Sequence, residues 1–82
     1  MPTNVSAREK LLQIFRDQFE NRDLDETVST STCAAWDSLG HIKLLVALER
    51  EFQFEPSPEE IMEMYADFHT VERLVAAKLA SR

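Results

Sequence analysis

Apolar residues recur at helical spacing in four segments of the chain. The first segment covers about 6–20, where Ser6 and Glu9 match a capping box ahead of an apolar arc. The positions on that arc are Leu11, Leu12, Ile14, Phe15 and Phe19. The pattern predicts an amphipathic first helix over 6–20.

The second segment, 38–52, contains no proline and follows Asp37, a good N-cap residue. Its apolar positions cover more than half of a helical wheel: Leu39, Ile42, Leu44, Leu45, Val46, Leu48 and Phe52. Such a broad face predicts contact with several neighbours. We expect His41, which interrupts this face, to lie at the surface or at its rim.

Two further helices are predicted near the C-terminus. Ser57, Pro58 and Glu60 combine a cap, a first-turn proline and a capping-box acid, which predicts a short helix over 58–65. Its inward residues should be Ile61, Met64, Tyr65 and Phe68. Thr70 can cap a last helix over 70–80, whose shared apolar face is Val71, Leu74, Val75 and Leu79.

Between the first two helices, residues 21–36 lose the helical pattern and become rich in Asp, Ser and Thr. We expect a long loop that Leu24, Val28 and Trp36 anchor to the core. With one glycine and no alternating strand pattern, the chain is predicted to be all-α. The predicted fold is one domain over 1–82, a four-helix bundle with three longer helices, one short helix and this loop.

Size and charge narrow the function classes. An 82-residue chain that is 44% apolar suits one core and leaves little room for a deep catalytic cleft. A net charge of −6 argues against nucleic acid as a partner and favours basic protein surfaces. Six acids and no Lys or Arg lie between Phe52 and Glu72, namely Glu55, Glu59, Glu60, Glu63, Asp67 and Glu72.

Several kinds of site are poorly supported. His41, His69 and Cys33 lack metal-ligand spacing, and no residue pattern supplies a base for a hydrolytic serine. Cys33 has no second cysteine with which it could form a disulfide, and we interpret it as a small loop residue. We expect no catalysis and no metal. Without a signal segment or a long apolar run, a cytoplasmic location and no membrane span are expected.

Ser38 is the candidate for chemistry. It follows an N-cap at the start of the longest apolar helix, where unpaired backbone N–H groups and the helix dipole favour an anion. A phosphodiester on its hydroxyl would be well placed there. The tripeptide Asp-Ser-Leu alone is also typical of an ordinary helix start.

The longer string over 36–52, WDSLGHIKLLVALEREF, closely resembles the acyl carrier protein signature, in which D-S-L opens the second helix and L-x-x-x-L-E-x-x-F follows. The resemblance extends through 55–60, similar to the start of the family's third helix, and 67–71, similar to the entry to its fourth. It covers nearly the whole chain after the first few residues.

The resemblance implies that a phosphopantetheinyl transferase moves a 4'-phosphopantetheine arm from coenzyme A onto Ser38, and that cargo rides on the arm as a thioester. The implied partners are that transferase, a cargo-loading ligase or acyltransferase, and downstream acyl-using enzymes, with the carrier a monomer. Family members can enclose an acyl chain between their helices. Either such a pocket or an ordinary packed core fits the residues Leu39, Ile42, Leu44, Leu48, Ile61 and Val71.

Partner enzymes of the family commonly read acids on the second and third helices through basic patches. Here the second helix departs from that pattern, because Lys43 and Arg50 offset most of its acids, so its net charge from Asp37 to Glu51 is only −1. We expect partners to engage mainly the third helix, although a merely solvated acidic face is the alternative. The expected recognition residues are Asp37, Leu39, Glu59, Glu60 and Met62.

Other departures concern the pathway. Gly40, His41, Gln53 and Pro56 differ from residues common in carriers of fatty-acid synthesis, which favours a dedicated pathway such as secondary-metabolite, polysaccharide-linked or aminoacyl chemistry. Gly after D-S-L also occurs in carriers of alanine, so an amino acid cargo stays open. The rival from another class is an unmodified helical protein-interaction module.

Overall fold

The computed structural model describes residues 7–80. Within them lie four helices and no strand: α1 (Ala7–Phe19), α2 (Ser38–Phe52), α3 (Pro58–Met64) and α4 (Phe68–Ala80). The all-α prediction of three longer helices, one short helix and a long loop after the first is therefore confirmed. Ser6, the expected cap of the first helix, lies outside the described residues.

The core forms where α1 packs against α2 and α3 packs against α4. Phe15 of α1 is fully buried at its centre and meets Phe19, Trp36 and Phe68 edge to face, with ring centroids 5.9, 5.1 and 5.3 Å away. Aromatic rings favour this geometry because the edge of one ring is positive and the face of the next is negative. The ring cluster joins α1, α4 and the loop that leads to Ser38.

The first turns of α2 and α3 follow the caps expected from sequence. Asp37 accepts a hydrogen bond from the Gly40 N–H at 2.8 Å through Oδ1. Ser57 and Glu60 form the predicted capping box, with the Ser57 N–H donating to Glu60 at 2.7 Å and the Glu60 N–H donating to Ser57 at 3.2 Å. Two orphan donors of the seven-residue α3 are satisfied in this way.

The predicted start of the last helix is wrong by two residues. Asp67 rather than Thr70 caps α4, because its Oδ1 accepts from the Thr70 N–H at 2.8 Å. Phe68 therefore belongs to α4 and is fully buried, while Tyr65, expected to point inward, is 40% exposed.

The long loop is held to the core as predicted. Leu24, Val28 and Trp36 are all buried. Backbone hydrogen bonds also tie the loop to the junction of α3 and α4, with the Thr30 N–H donating to Ala66 O and the Phe68 N–H to Val28 O, both at 2.9 Å. The segment before Ser38 is thus fixed by side chains and by backbone.

Among residues 7–80, no helix combines the length and the apolar content that crossing a bilayer requires.

Candidate functional site at the start of the second helix

Ser38 is the first residue of α2 and is exposed. Its hydroxyl makes no hydrogen bond within residues 7–80, and the N–H groups of Ser38 and Leu39 have no acceptor there either. The next two N–H groups are taken, since Gly40 donates to Oδ1 of Asp37 and His41 donates to the Asp37 carbonyl at 2.7 Å. The positive end of the helix dipole and two free donors therefore lie beside the Ser38 hydroxyl.

Gly40 allows the loop backbone at Ala35 to pass very close to α2, two residues after Ser38. A Cβ atom at this position would overlap the carbonyl oxygen of Ala35 and lie 3.2 Å from the Phe19 ring. A backbone carbonyl cannot swing aside as a flexible side chain can, so only glycine fits without a shift of the chain. The sequence analysis treated Gly40 as a departure from other carriers and did not predict this close contact, for which the one available signal is that the chain has a single glycine.

His41 is not at the surface or rim, as expected from sequence, but buried with 5% of its surface exposed. Its burial is tolerated because both ring nitrogens are paired, Nδ1 with Trp36 Nε1 at 3.0 Å and Nε2 with the Ile61 carbonyl at 2.8 Å. The ring also lies against the Trp36 and Tyr65 rings. Burial lowers the pKa of His41, and the hydrogen bond to Ile61 opposes this shift.

The broad apolar face of α2 divides into two. Leu44, Leu45, Leu48 and Phe52 are buried, whereas three residues at helical spacing remain exposed. These three, which we name the outer ridge, are Leu39 (63% exposed), Ile42 (58%) and Val46 (49%). The inner part of this face meets several neighbours, as expected, but within residues 7–80 no element covers the outer ridge.

The division of the apolar residues of α2 into buried and exposed sets argues against the acyl-chain pocket considered in the sequence analysis. Leu39 and Ile42 lie on the outer ridge, while Leu44, Leu48 and Val71 are fully buried. These residues therefore do not line a common cavity in this structure. A shallow surface groove instead runs beside Ser38, bounded by Phe19, Ala35, Asp37, Leu39, Gly40 and Lys43.

Most of the predicted acidic patch is engaged within the protein. Glu60 binds Lys78 at 2.9 Å, Glu63 lies 3.5 Å from Arg73, and Glu72 forms a two-pronged pair with Arg8. Hydrogen bonding to Ser57 and the pair with Lys78 hold the pKa of Glu60 below its usual value. Asp67 caps α4, so Glu55 and Glu59 are the patch acids without such a partner inside residues 7–80.

The expected recognition residues therefore differ in their surroundings. Leu39 and Met62 are strongly exposed, at 63% and 77%, and Glu59 is exposed as well. Asp37 and Glu60 serve as helix caps. Sequence reasoning missed Lys43 and Arg50 as neighbours of the outer ridge; both are exposed and neither pairs with a carboxylate in the described part of the chain.

Across residues 7–80, no cluster of three or more His, Cys, Asp or Glu side chains is arranged to hold a metal ion.

Comparison with protein-family models, with curated proteins and with solved structures finds no match to this chain.

Proposed function

We propose that this protein is an acyl carrier protein that holds its cargo as a thioester on a 4'-phosphopantetheine arm at Ser38. One observation carries the proposal: an exposed, unpaired serine hydroxyl at the first position of α2, within a string that resembles the carrier signature. The position would suit the product of modification, because the phosphodiester would lie beside free N–H donors and the positive end of a helix dipole.

The attachment step follows from ordinary phosphoryl chemistry. The Ser38 oxygen would form a bond to the phosphorus that carries the pantetheine in coenzyme A, and the bond from that phosphorus to the bridging oxygen of the pyrophosphate would break. The nucleotide half of coenzyme A would leave with that oxygen and the second phosphate. The transferase supplies the base that takes the serine proton. The carrier contributes an accessible hydroxyl on a first helical turn whose backbone is fixed by the Asp37 cap and by the close contact of Gly40 with Ala35.

The same site supports an interface for partner enzymes. The outer ridge, which begins at Leu39 beside Ser38, and Met62 of α3 offer exposed apolar area that a partner could bury. Glu59 offers a charge with no internal partner within 7–80, whereas Glu60 is committed to Ser57 and Lys78. We therefore infer that the transferase, the cargo-loading ligase or acyltransferase and the downstream enzymes read Leu39, Met62 and Glu59 more directly than Asp37 or Glu60.

Lys43 and Arg50 give the outer ridge a basic border, in contrast to the acidic second helix that partner enzymes of the family commonly read. This border and the atypical Gly40 and His41 favour a specialised biosynthetic pathway over housekeeping fatty-acid synthesis. An aminoacyl cargo of the alanyl type fits the same residues. We infer that the carrier works as a monomer in the cytoplasm.

A second candidate function is supported by the outer ridge alone. An exposed apolar stripe is a common feature of protein-binding surfaces, so an unmodified helical interaction module would present it too. The two functions differ at Ser38, which such a module would not need.

Intact-mass analysis distinguishes the carrier from the unmodified interaction module. After incubation of the chain with coenzyme A and a broad-specificity phosphopantetheinyl transferase, the wild type should gain one phosphopantetheinyl group and Ser38→Ala none. Ser31→Ala, which changes an exposed loop serine, is the matched control and should be modified like the wild type. A folded wild type that stays unmodified would favour the interaction module.

A further inference from the structure

His41 joins three segments that meet beside Ser38. It lies on α2 one turn after Ser38, while Trp36 ends the loop that leads into α2 and Ile61 belongs to α3. Among the described residues, His41 is the one buried side chain that is polar or charged. Neither its burial nor its partners are needed to explain how Ser38 is presented.

The neighbours of His41 assign its tautomer. An indole N–H can only donate, so Nδ1, which lies 3.0 Å from Trp36 Nε1, accepts and carries no proton. In the neutral ring the proton is then on Nε2, which donates to the Ile61 carbonyl at 2.8 Å. One uncharged imidazole thus links a donor on the loop to an acceptor on α3.

The Ile61 carbonyl is available because α3 ends in a tight turn. The Tyr65 N–H donates to Met62 O at 3.2 Å instead of to Ile61 O, the partner that a continued α-helix would use. The last carbonyls of a helix need partners from outside it. His41 supplies one, and it thereby ties the end of α3, next to the exposed Met62, to α2.

We propose that His41 is a proton-sensitive positioning residue, which in its neutral form links Trp36 to α3 beside Ser38 and on protonation loses its hydrogen bond to the Trp36 indole. The protonated ring carries N–H groups on both nitrogens, so Nδ1–H would face the indole N–H and neither would have an acceptor. Because Trp36 lies two residues before Ser38, loss of this hydrogen bond alters the approach to the hydroxyl. The consequence for modification rests on the proposed function.

Three carboxylates on the surrounding segments have other partners, and the exposed Glu59 and Lys43 bond to neither ring nitrogen of His41. On the α2 side the Asp37 carboxylate accepts from Gly40, and on α3 Glu60 binds Lys78 while Glu63 faces Arg73. Tyr65 is the titratable side chain in ring contact with His41, with centroids 4.9 Å apart. Lys43 lies on the exposed side of α2, and no carboxylate bonds to the imidazole.

The direction of the pH effect follows from burial. The pKa of His41 is lowered in the folded chain, so the unfolded chain binds the proton more readily. The hydrogen bonds of neutral His41 to Trp36 and Ile61 contribute fully to stability above the ordinary histidine pKa of about 6.5. This contribution is lost as the pH falls through the lowered pKa of His41 in the folded chain. Loss of the hydrogen bond to Trp36 therefore occurs below the ordinary histidine pKa of about 6.5.

NMR can test the hydrogen bond between Trp36 and His41 on the unmodified chain, which has one tryptophan and two histidines. In the wild type, the Trp36 indole N–H resonance should shift and lose protection from exchange as the pH is lowered below the ordinary histidine pKa of about 6.5 through the acid range in which the chain stays folded. In His41→Gln, whose amide can both accept and donate without titrating, it should stay constant. His69→Gln, which removes the exposed histidine of α4, is the matched control and should follow the wild type.

The nitrogen-15 shifts of His41 give a check that needs no variant. At neutral pH they should report the Nε2–H tautomer. The Nδ1–H tautomer, or a wild-type Trp36 resonance that does not respond to pH, would overturn the proposal.

Rates of arm attachment test the consequence at Ser38. The ratio of the wild-type rate to the His41→Gln rate cancels the pH dependence of the transferase itself. Because the altered approach to Ser38 should slow attachment, the ratio should fall below its neutral value as His41 becomes protonated. A constant ratio would refute control of Ser38. If neither chain accepts the arm at any pH, the proposed function fails instead, while the Trp36 titration still decides whether the hydrogen bond to His41 exists.

Discussion

The two faces of α2 have similar apolar residues and opposite surroundings. On the inner face, Leu44 and Leu48 are fully buried, whereas Leu39 and Ile42 on the outer ridge are each more than half exposed. Helical periodicity places both sets on one broad apolar face and does not say which part a neighbour covers. The inner face accounts for the fold, and the outer ridge, which begins next to Ser38, is the part available to partners.

The largest expected effect is a difference in the free energy of unfolding between a substitution on the inner face and one on the outer ridge. Leu48→Ala should lower the free energy of unfolding by about 2–5 kcal/mol, because it leaves a cavity in the core. Leu39→Ala should change it by less than about 0.5 kcal/mol, since the side chain is already in water. Urea denaturation of the two variants measures both values, and equal losses would contradict the division of α2.

Gly40→Ala should have the next largest effect. The new methyl group would overlap the Ala35 carbonyl, and relief of such overpacking costs about 1–3 kcal/mol. In an ordinary exposed helix position the same change is favourable by up to about 1 kcal/mol. A thermal melt that shows stabilisation would mean that the loop does not cross α2 as closely as described.

A smaller loss is expected at the start of α3. Ser57→Ala removes the capping-box oxygen and should cost about 1 kcal/mol. Ser31→Ala changes a loop serine outside the helices and serves as the control in the same thermal melts. If the two variants melt alike, the cap contributes little to holding α3.

The outer ridge should affect function with little effect on stability. Leu39→Ala and Glu59→Lys should each lower kcat/KM for attachment of the arm while the melting temperature stays near that of the wild type. The Glu59→Lys effect should weaken at high salt, because exposed charges are screened. Glu60→Lys should lower the melting temperature as well, since it breaks the pair with Lys78. Unchanged kinetics in both Leu39→Ala and Glu59→Lys would remove these two residues from the interface.

Sequence predicted most of the fold because its signals are local. Asp37 and the pair Ser57 and Glu60 are caps that act within one turn, and the observed starts of α2 and α3 follow them. The start of α4 was missed because Asp67 and Thr70 are both good caps, and the buried Phe68 decides between them only once the chain is folded.

The candidate site was predicted only in part. The position of Ser38 at a helix start could be read from the residues around it. The burial of His41 depends on Trp36 and on the Ile61 carbonyl, twenty residues away, and the state of Glu60 depends on Lys78 of α4. Such contacts between distant residues have no periodic signature in one sequence.

The central claim is that Ser38 carries a phosphopantetheine arm. The most direct test is mass spectrometry of the protein purified from its own cells, with fragmentation of the peptide that contains Ser38. A phosphopantetheinyl group on Ser38, with or without cargo on its thiol, is the expected result. A chain that is wholly unmodified, or one modified at another residue, would contradict the claim.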